Sequence, residues 1–586
     1  MTNLLSLVTS VLLLSSTASA LWPIPAHYET GNDTFWLSPD VKLEFGSGSY
    51  SGGPKETSYP SSDYSYPSTG RGNKKVEAAW DRTKAALFKT NIVPWQFYPK
   101  GAKFEPSVGS GTTINKVVIT QTEKDIDAPT YEEMKEAYNL TIPNGSGTIY
   151  IDAESSLGVM HALSTLQQLF YKSQSSKARG SVWGKGPVTI QDKPRFVHRG
   201  LNLDVARQWY PKETILKTLD ALSWNKMNRL HLHVTDSQSW PLEIPSMPEL
   251  AEKGAYAPGL TYSPEDLQQI LDYAEARGIQ VIVEIDMPGH TTSIAESHPE
   301  LIVGRNAQPN WDTYAAQPPS GSLKLNNKEV ENFLTKLFKD LLPRLNKHTP
   351  YFHTGGDEVN ANVYKLDPGV GSSNKTEIQP HLQKFFNHVQ TQVHNQNMHP
   401  FVWEEMLLDW NITLPEKTIV QIWQTDEAAK KATEKGYRII QGNYNYWYLD
   451  CGQGQWLDFG GPAFQKFYPF ADYCSPRKNW RLIYSYSPTQ FLTPEEAKLV
   501  LGGEVHIWSE QIDSQSLDVM LWPRGSAAAE VLWSGREDAQ GNNRTFADAS
   551  PRLAEMRERM VARGVRATPV MQLWCLANQG DCALNV

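Results

Sequence analysis

The sequence predicts an α/β protein, a (β/α)8 TIM barrel preceded by a smaller α+β domain. Three observations carry this. From residue 196 onward, short apolar strands alternate with amphipathic helices. Eight such units fit into about 340 residues, which suits a closed barrel with long loops better than an open sheet. Each strand closes in polar residues, and the C-terminal strand ends are where such barrels carry their chemistry.

The chain opens on residues 3 to 14, almost wholly apolar, followed by the small-x-small pattern Ala18-Ser19-Ala20. Residues 1–20 therefore read as a secretory signal, with a mature chain starting near Leu21 in an extracellular or cell-wall setting. No Lys or Arg precedes the apolar run, so a buried N-terminal helix or a retained anchor is the alternative. No later stretch approaches the roughly 20 apolar residues of a membrane span. Six N-x-S/T sequons fit export: Asn32, Asn139, Asn144, Asn374, Asn411 and Asn543. Four cysteines fit it too; Cys451 lies near Cys474 and Cys575 near Cys582, so two local disulfides are the simplest of three pairings. A net charge of -9 disfavours nucleic acid and anionic membranes as partners. The 19 Trp and 25 Tyr raise the expectation of a carbohydrate partner, since indole faces stack on the C–H faces of sugar rings.

Residues 21–190 are assigned to the α+β domain. Strand-like runs begin at 41 (VKLEFG), 116 (KVVITQT) and 147 (GTIYIDA), and a helix-like stretch covers 156–172. Residues 46–73 are rich in Gly, Ser, Tyr and Pro without periodicity and read as a linker. It ends near the dibasic Lys74-Lys75, which is compatible with a pro-segment that is cut and stays associated.

Residues 191–586 are assigned to the barrel and a C-terminal extension. Its strands read VHRGLNLD, NRLHLHVTD, IQVIVEIDMPGH, YFHTGGDEV, FVWEEM, TIVQIWQ, YRIIQGNYNYWYLD and GEVHIWSE, with no good helix between the fifth and sixth. Their ends bring together Arg199, Asp204, Asp236, Glu284, Asp286, His290, Asp357, Glu358, Glu404, Glu405, Asp450 and Glu510, with Trp403, Trp423, Tyr448 and Trp508 among them. A carboxylate-rich bowl with aromatic walls is what glycosidic cleavage requires. One acid protonates the leaving oxygen, and a positive centre must be stabilised. Neighbours on a strand point to opposite faces, so Asp357 and Glu358 can share a site only where the strand ends, and Gly355-Gly356 permits that bend.

The segments HRGLNLDVAR, HLHVTDSQSWPLE, EIDMPGH, HTGGDEV, WEE, YLD and GGEVHIWSE occur here in the order of glycoside hydrolase family 20. The chain resembles the secreted fungal β-N-acetylhexosaminidases of that family. The resemblance implies exo-hydrolysis of terminal β-linked N-acetylhexosamine by substrate-assisted retention. It casts Glu358 as the general acid and then base, with Asp357 and Tyr448 holding the substrate's acetamido group as nucleophile. Asp236 and His290 would form a relay to Glu358. Arg199 and Glu510 would bind the 3- and 4-hydroxyls, and Asp450 an outer hydroxyl. Trp403, Trp423 and Trp508 would box the acetamido methyl. It assigns no metal or cofactor and is compatible with a homodimer. The rival reading rests on His231-x-His233, which puts two imidazoles on one strand face as in metal-dependent barrel hydrolases, with His290 and His353 as further ligands.

Overall fold

A computed structural model describes residues 21–47, 73–460 and 462–584. The expected signal at 1–20 and most of the 46–73 stretch lie outside the described residues. Lys75 falls in the first turn of a helix, Asn73–Phe88, and pairs with Glu275 at 2.8 Å.

The N-terminal region builds one six-stranded sheet from β1 (His27–Phe45), β2 (Thr112–Gln121), β3 (Tyr138–Ile142), β4 (Thr148–Ala153), β5 (Phe170–Lys172) and β6 (Val182–Asp192). The long β1 runs antiparallel to β6 along its first half and parallel to β2 along its second, with a register shift between Leu37 and Lys42. Alternation places Ile149, Ile151 and Ala153 of β4 inward, against the helix Ser156–Leu166. Ser155 caps that helix by accepting from Leu157 N. The helix ends at Leu166, short of the expected 172, because Phe170–Lys172 pairs with β6 as an edge strand. That pairing is tertiary and leaves no mark in the local periodicity.

The barrel consists of β7 (His198–Asp204), β8 (Arg229–Thr235), β9 (Gln280–Ile285), β12 (Tyr351–His353), β13 (His399–Trp403), β14 (Ile419–Ile422), β15 (Arg438–Gln441) and β16 (Val500–Ile507). All neighbours are parallel and β16 closes on β7, so every expected barrel strand is present in a closed ring. A short antiparallel pair, β10 (Ile302–Val303) and β11 (Ser322–Leu323), lies outside it. The helices Lys212–Trp224, Pro264–Glu275, Lys328–Leu345 and Lys375–His394 turn their apolar stripes to the strands. Between β13 and β14 only the five-residue helix Glu404–Leu408 stands.

Side chains fill the barrel in layers. Ile282, Tyr351, Phe401, Ile419, Ile440 and Leu501 form an apolar floor. Above them the interior turns polar, with His231, Glu284, His353, Gln421 and Glu504 all buried. Buried charge needs partners, and these residues supply them to one another. Both disulfides take the local pairing, Cys451–Cys474 and Cys575–Cys582. All six sequon asparagines are exposed.

Candidate active site

The C-terminal ends of the strands open into a cavity of about 820 Å³, measured to its open mouth. Its walls include Arg207, His290, Asp357, Glu358, Trp403, Trp423, Tyr448, Asp450, Trp508 and Glu510. Of the residues to which the resemblance gives a role, only Asp236, directly behind His290, and Arg199 do not line it; of the other acids at the strand ends, Asp204, Glu284, Asp286, Glu404 and Glu405 lie behind the wall.

Asp357 and Glu358 follow β12 after a sharp bend. Gly355 takes φ +66, and a Cβ there would fall 1.7 Å from Asp286 Oδ1, so only glycine fits. Gly356 N donates to that same oxygen at 2.8 Å, anchoring the bend. Glu358 (φ 50) and His290 (φ 54) are both non-glycine residues in the left-handed region, and their side chains meet: His290 Nε2 lies 3.3 Å from Glu358 Oε2 and 3.8 Å from Asp357 Oδ2. Strain of this kind persists where surrounding contacts over-determine the geometry.

His290 Nδ1 lies 3.1 Å from Asp236 Oδ1, so the expected Asp236–His290–Glu358 relay has the spacing of a hydrogen-bonded chain. Burial opposes charge on His290, but Asp236 and Asp357 outweigh it and hold the imidazole protonated well above its ordinary range. Burial likewise opposes ionisation of Asp236, and Arg207 followed by His290 overcomes it. Asp286 behaves differently. Its carboxyl is pushed far up, first by burial and then by the nearby Asp357 carboxylate, and its Oδ2 has no hydrogen-bond partner among the described residues. Burial also pushes Asp357 up, with His290 and Asp286 countering. Among the described residues, Asp357 Oδ1 has no hydrogen-bond partner.

The aromatic walls are held by acids. Trp403 Nε1 donates to Glu284 Oε1 at 2.7 Å, and Trp423 Nε1 donates to Glu405 Oε1 at 3.0 Å. Trp423 stacks on Tyr448 at 6.1 Å and 17°. Burial keeps Glu405 well above the carboxylate range, with Asp357 adding to it, and lifts Glu404 to about 8. Asp450 is likewise raised by burial, then by Glu510, and its Oδ1 is unpartnered. Glu510 accepts from Gln317 Nε2 at 3.0 Å.

One expectation is corrected. Arg199 sits at the start of β7, at the opposite end of the barrel from the cavity, fully buried. It donates to Glu136 Oε2 at 3.0 Å and to the carbonyl oxygens of Lys226 and Phe196, welding barrel to N-terminal domain. The guanidinium in the cavity belongs to Arg207. Asp204 at the end of β7 accepts from Ala206 N, Arg207 N, Arg207 Nη1 and Ser509 N, which fixes that arginine's loop. Arg207 also reaches Asp236 at 2.9 Å and lies over Trp508 at 5.2 Å. The position was available from the strand pattern, because Arg207 lies past the C-terminal end of its strand and Arg199 does not. Trp456, Tyr473 and Gln317 at the rim were also missed, since they sit on loops without periodicity.

Of the histidines that a metal reading would use, His231 and His353 lie with Glu284 close enough to share an ion, and His353 Nε2 has no partner among the described residues, while the nitrogens of His231 and His233 each face carboxylates. His231 faces Glu504 and Glu284 at 3.0 Å each, and His233 faces Glu284 at 2.6 Å and Asp236 at 2.8 Å.

Residues 196–536 match the catalytic domain of glycosyl hydrolase family 20, and residues 21–169 match a β-acetyl hexosaminidase-like domain. The chain belongs to glycosyl hydrolase family 20. It is 39% identical to a beta-hexosaminidase of Arthroderma benhamiae, across 98% of this chain and 99% of that one. It is 33% identical to a chitooligosaccharidolytic beta-N-acetylglucosaminidase of Ostrinia furnacalis, across 77% and 75%. An exo beta-N-acetylglucosaminidase structure from Vibrio harveyi superposes with TM-score 0.69 at 22% identity, covering 94% of this chain and 79% of that one. The two-part architecture is thus the family's, and the chain is a glycosidase.

Proposed function

We propose that this glycosidase removes terminal non-reducing β-linked N-acetylhexosamine from oligosaccharides such as chitobiose, with the substrate's 2-acetamido oxygen as nucleophile. The observation that carries this is the division of roles at the cavity floor. Glu358 touches the His290 imidazole at 3.3 Å and is set to exchange a proton, while Asp357 lines the cavity beside it with Oδ1 unpartnered among the described residues.

Glu358 protonates the glycosidic oxygen as it leaves. The acetamido oxygen attacks the anomeric carbon from the opposite face and closes an oxazolinium ring. Asp357 Oδ1 accepts from the acetamido N–H, whose positive charge grows as the ring closes, and the Tyr448 hydroxyl donates to the acetamido oxygen. With Asp286 pushed far up, Asp357 is left to carry that charge. Glu358 then takes a proton from water, which opens the ring with retention. Trp403, Trp423 and Trp508 enclose the methyl and the sugar ring. Arg207, Asp450 and Glu510 reach the outer hydroxyls, which closes the pocket beyond the terminal sugar and makes the action exo.

Hydrolysis of N,N′-diacetylchitobiose followed by NMR tests this. The β-anomer is expected first from wild type; immediate release of the α-anomer would contradict retention. Export to the extracellular space is part of the proposal. The apolar leader, six exposed sequons and two disulfides support it.

A further inference from the structure

The proposed acid is the upper end of a longer buried chain. Below Asp236, the alternation of imidazole and carboxylate continues down the barrel axis. His233 Nε2 lies 2.8 Å from Asp236 Oδ2 and its Nδ1 lies 2.6 Å from Glu284 Oε2. His231 spans Glu284 and Glu504 at 3.0 Å on each side. His198 Nε2 lies 2.7 Å from Glu504 Oε1, and its Nδ1 lies 2.7 Å from the hydroxyl of Tyr131, a residue of the N-terminal domain. Gly200 makes room for the crossing, since a Cβ there would fall 2.6 Å from Glu504 Cγ.

Hydrogen-bond direction sets the charges. An ionised carboxylate only accepts. Both nitrogens of His231 and His233 face carboxylates, so each of these rings must donate twice and be an imidazolium; His290 faces Asp236 and Arg207 Nη2 through Nδ1, and Glu358 and Asp357 through Nε2, and the two aspartates hold it charged as well. His198 faces one carboxylate and one hydroxyl and closes the chain as a neutral ring. Glu504, Glu284 and Asp236 thus alternate with three cations and the sum is zero. Groups on neighbouring elements pack around these charges. Trp403 Nε1 donates to Glu284 and Gln421 Nε2 to Glu504, Arg207 and Asp357 flank the Asp236–His290 end, His353 Nδ1 accepts from Gly355 N beside Glu284, and Asn202 Nδ2 lies 3.2 Å from His231 Nδ1. The titration shifts run the same way: His231 is raised to about 9 and His233 well up, in each case against burial, while burial lowers His198 to about 4.

We propose that these residues form one charge-alternating ladder, and that His233, which lies beneath the cavity, is a positioning residue governing when Glu358 gives up and regains its proton. This rests on reading Glu358 as the acid and base. The ladder supplies a fixed dipolar column whose last cation, His290, stays charged through both steps because Asp236, held ionised by Arg207 and His233, does not take its proton.

A joint neutron and X-ray structure of wild type is expected to show deuterons on both nitrogens of His231, His233 and His290, and on Nε2 alone of His198. A single deuteron on His231 or His233 would overturn the ladder, whatever Glu358 does. His233→Gln removes a cation near the acid, so the alkaline limb of kcat/KM should move up by about half to one pH unit. The limb should not move for a substrate whose leaving group is acidic enough to depart unprotonated. A folded His233→Gln variant that loses rate uniformly with both limbs in place would reduce His233 to packing. Should that variant not fold, the neutron map alone decides. A Glu358→Gln variant with full turnover on a poor leaving group would remove the acid assignment and leave the deuteron pattern standing.

Discussion

Arg199 and Arg207 lie eight residues apart at opposite ends of one strand, and each is buried among acids. At the floor, Arg199 has Glu136 and two carbonyl oxygens as partners, and nearby Lys226 has Asp192 at 2.8 Å. These charges are complete within the protein. At the mouth, Asp357 Oδ1 and Asp450 Oδ1 are buried without partners among the described residues, and Glu405 and Asp450 are held up by burial. Both ends bear the cost of burying charge. At the mouth the open carboxylate oxygens belong to residues that line a cavity a ligand can enter, and that separates a binding site from a structural weld.

The comparison breaks first at the acid. Glu358→Gln should lower kcat by on the order of 10²–10⁴-fold on a substrate with a poor leaving group. Its melting temperature should stay close to wild type, since Glu358 is the more exposed acid of the pair. Asp357→Asn should lower kcat by roughly 10²–10³-fold through the loss of charge at the developing oxazolinium, with KM little changed. The two arginines give the sharpest contrast. Arg207→Met should cut kcat/KM by on the order of 10²-fold. Arg199→Met should instead cost about 3–5 kcal/mol of stability by stranding Glu136, while the folded fraction keeps its kinetics; thermal unfolding and active-site titration read both.

Smaller effects follow the same line. Asp450→Asn should weaken kcat/KM about tenfold or less, the scale of one hydrogen bond. Burial opposes ionisation of Glu136, yet Arg199 and His161 hold it well below its ordinary 4.5. A depressed folded-state acid stabilises above its unfolded value, and that stability is lost as pH falls. Melting temperature should therefore drop below about pH 4.5 in wild type, and drop less steeply in Arg199→Met.

Much of this was legible in the sequence. Each barrel strand is a short stretch rich in apolar residues that closes in polar ones, so all eight strands and the cavity face could be read directly. The Asp357-Glu358 pair could be placed because Gly355-Gly356 marks the strand's end. Other features needed closure of the chain. β3 and β6 are found only through their pairing across the sheet, and Asp286 is pushed up only once the fold buries it and sets it beside Asp357. His231 and His233 sit on one strand face as expected, but their partners Glu504 and Glu284 come from β16 and β9. The motif HRGLNLDVAR holds two arginines, and only the strand's end at Asp204 tells Arg207, which enters the cavity, from Arg199, which does not.

The central claim is that the mouth acts on a substrate that brings its own nucleophile. Its most direct test compares the 4-nitrophenyl β-glycosides of N-acetylglucosamine and of glucose, which differ only at the 2-position. Rapid release from the first and negligible release from the second is the result expected. Comparable rates on both would show that the acetamido group is not required, and the assignment of Asp357 would fall with it.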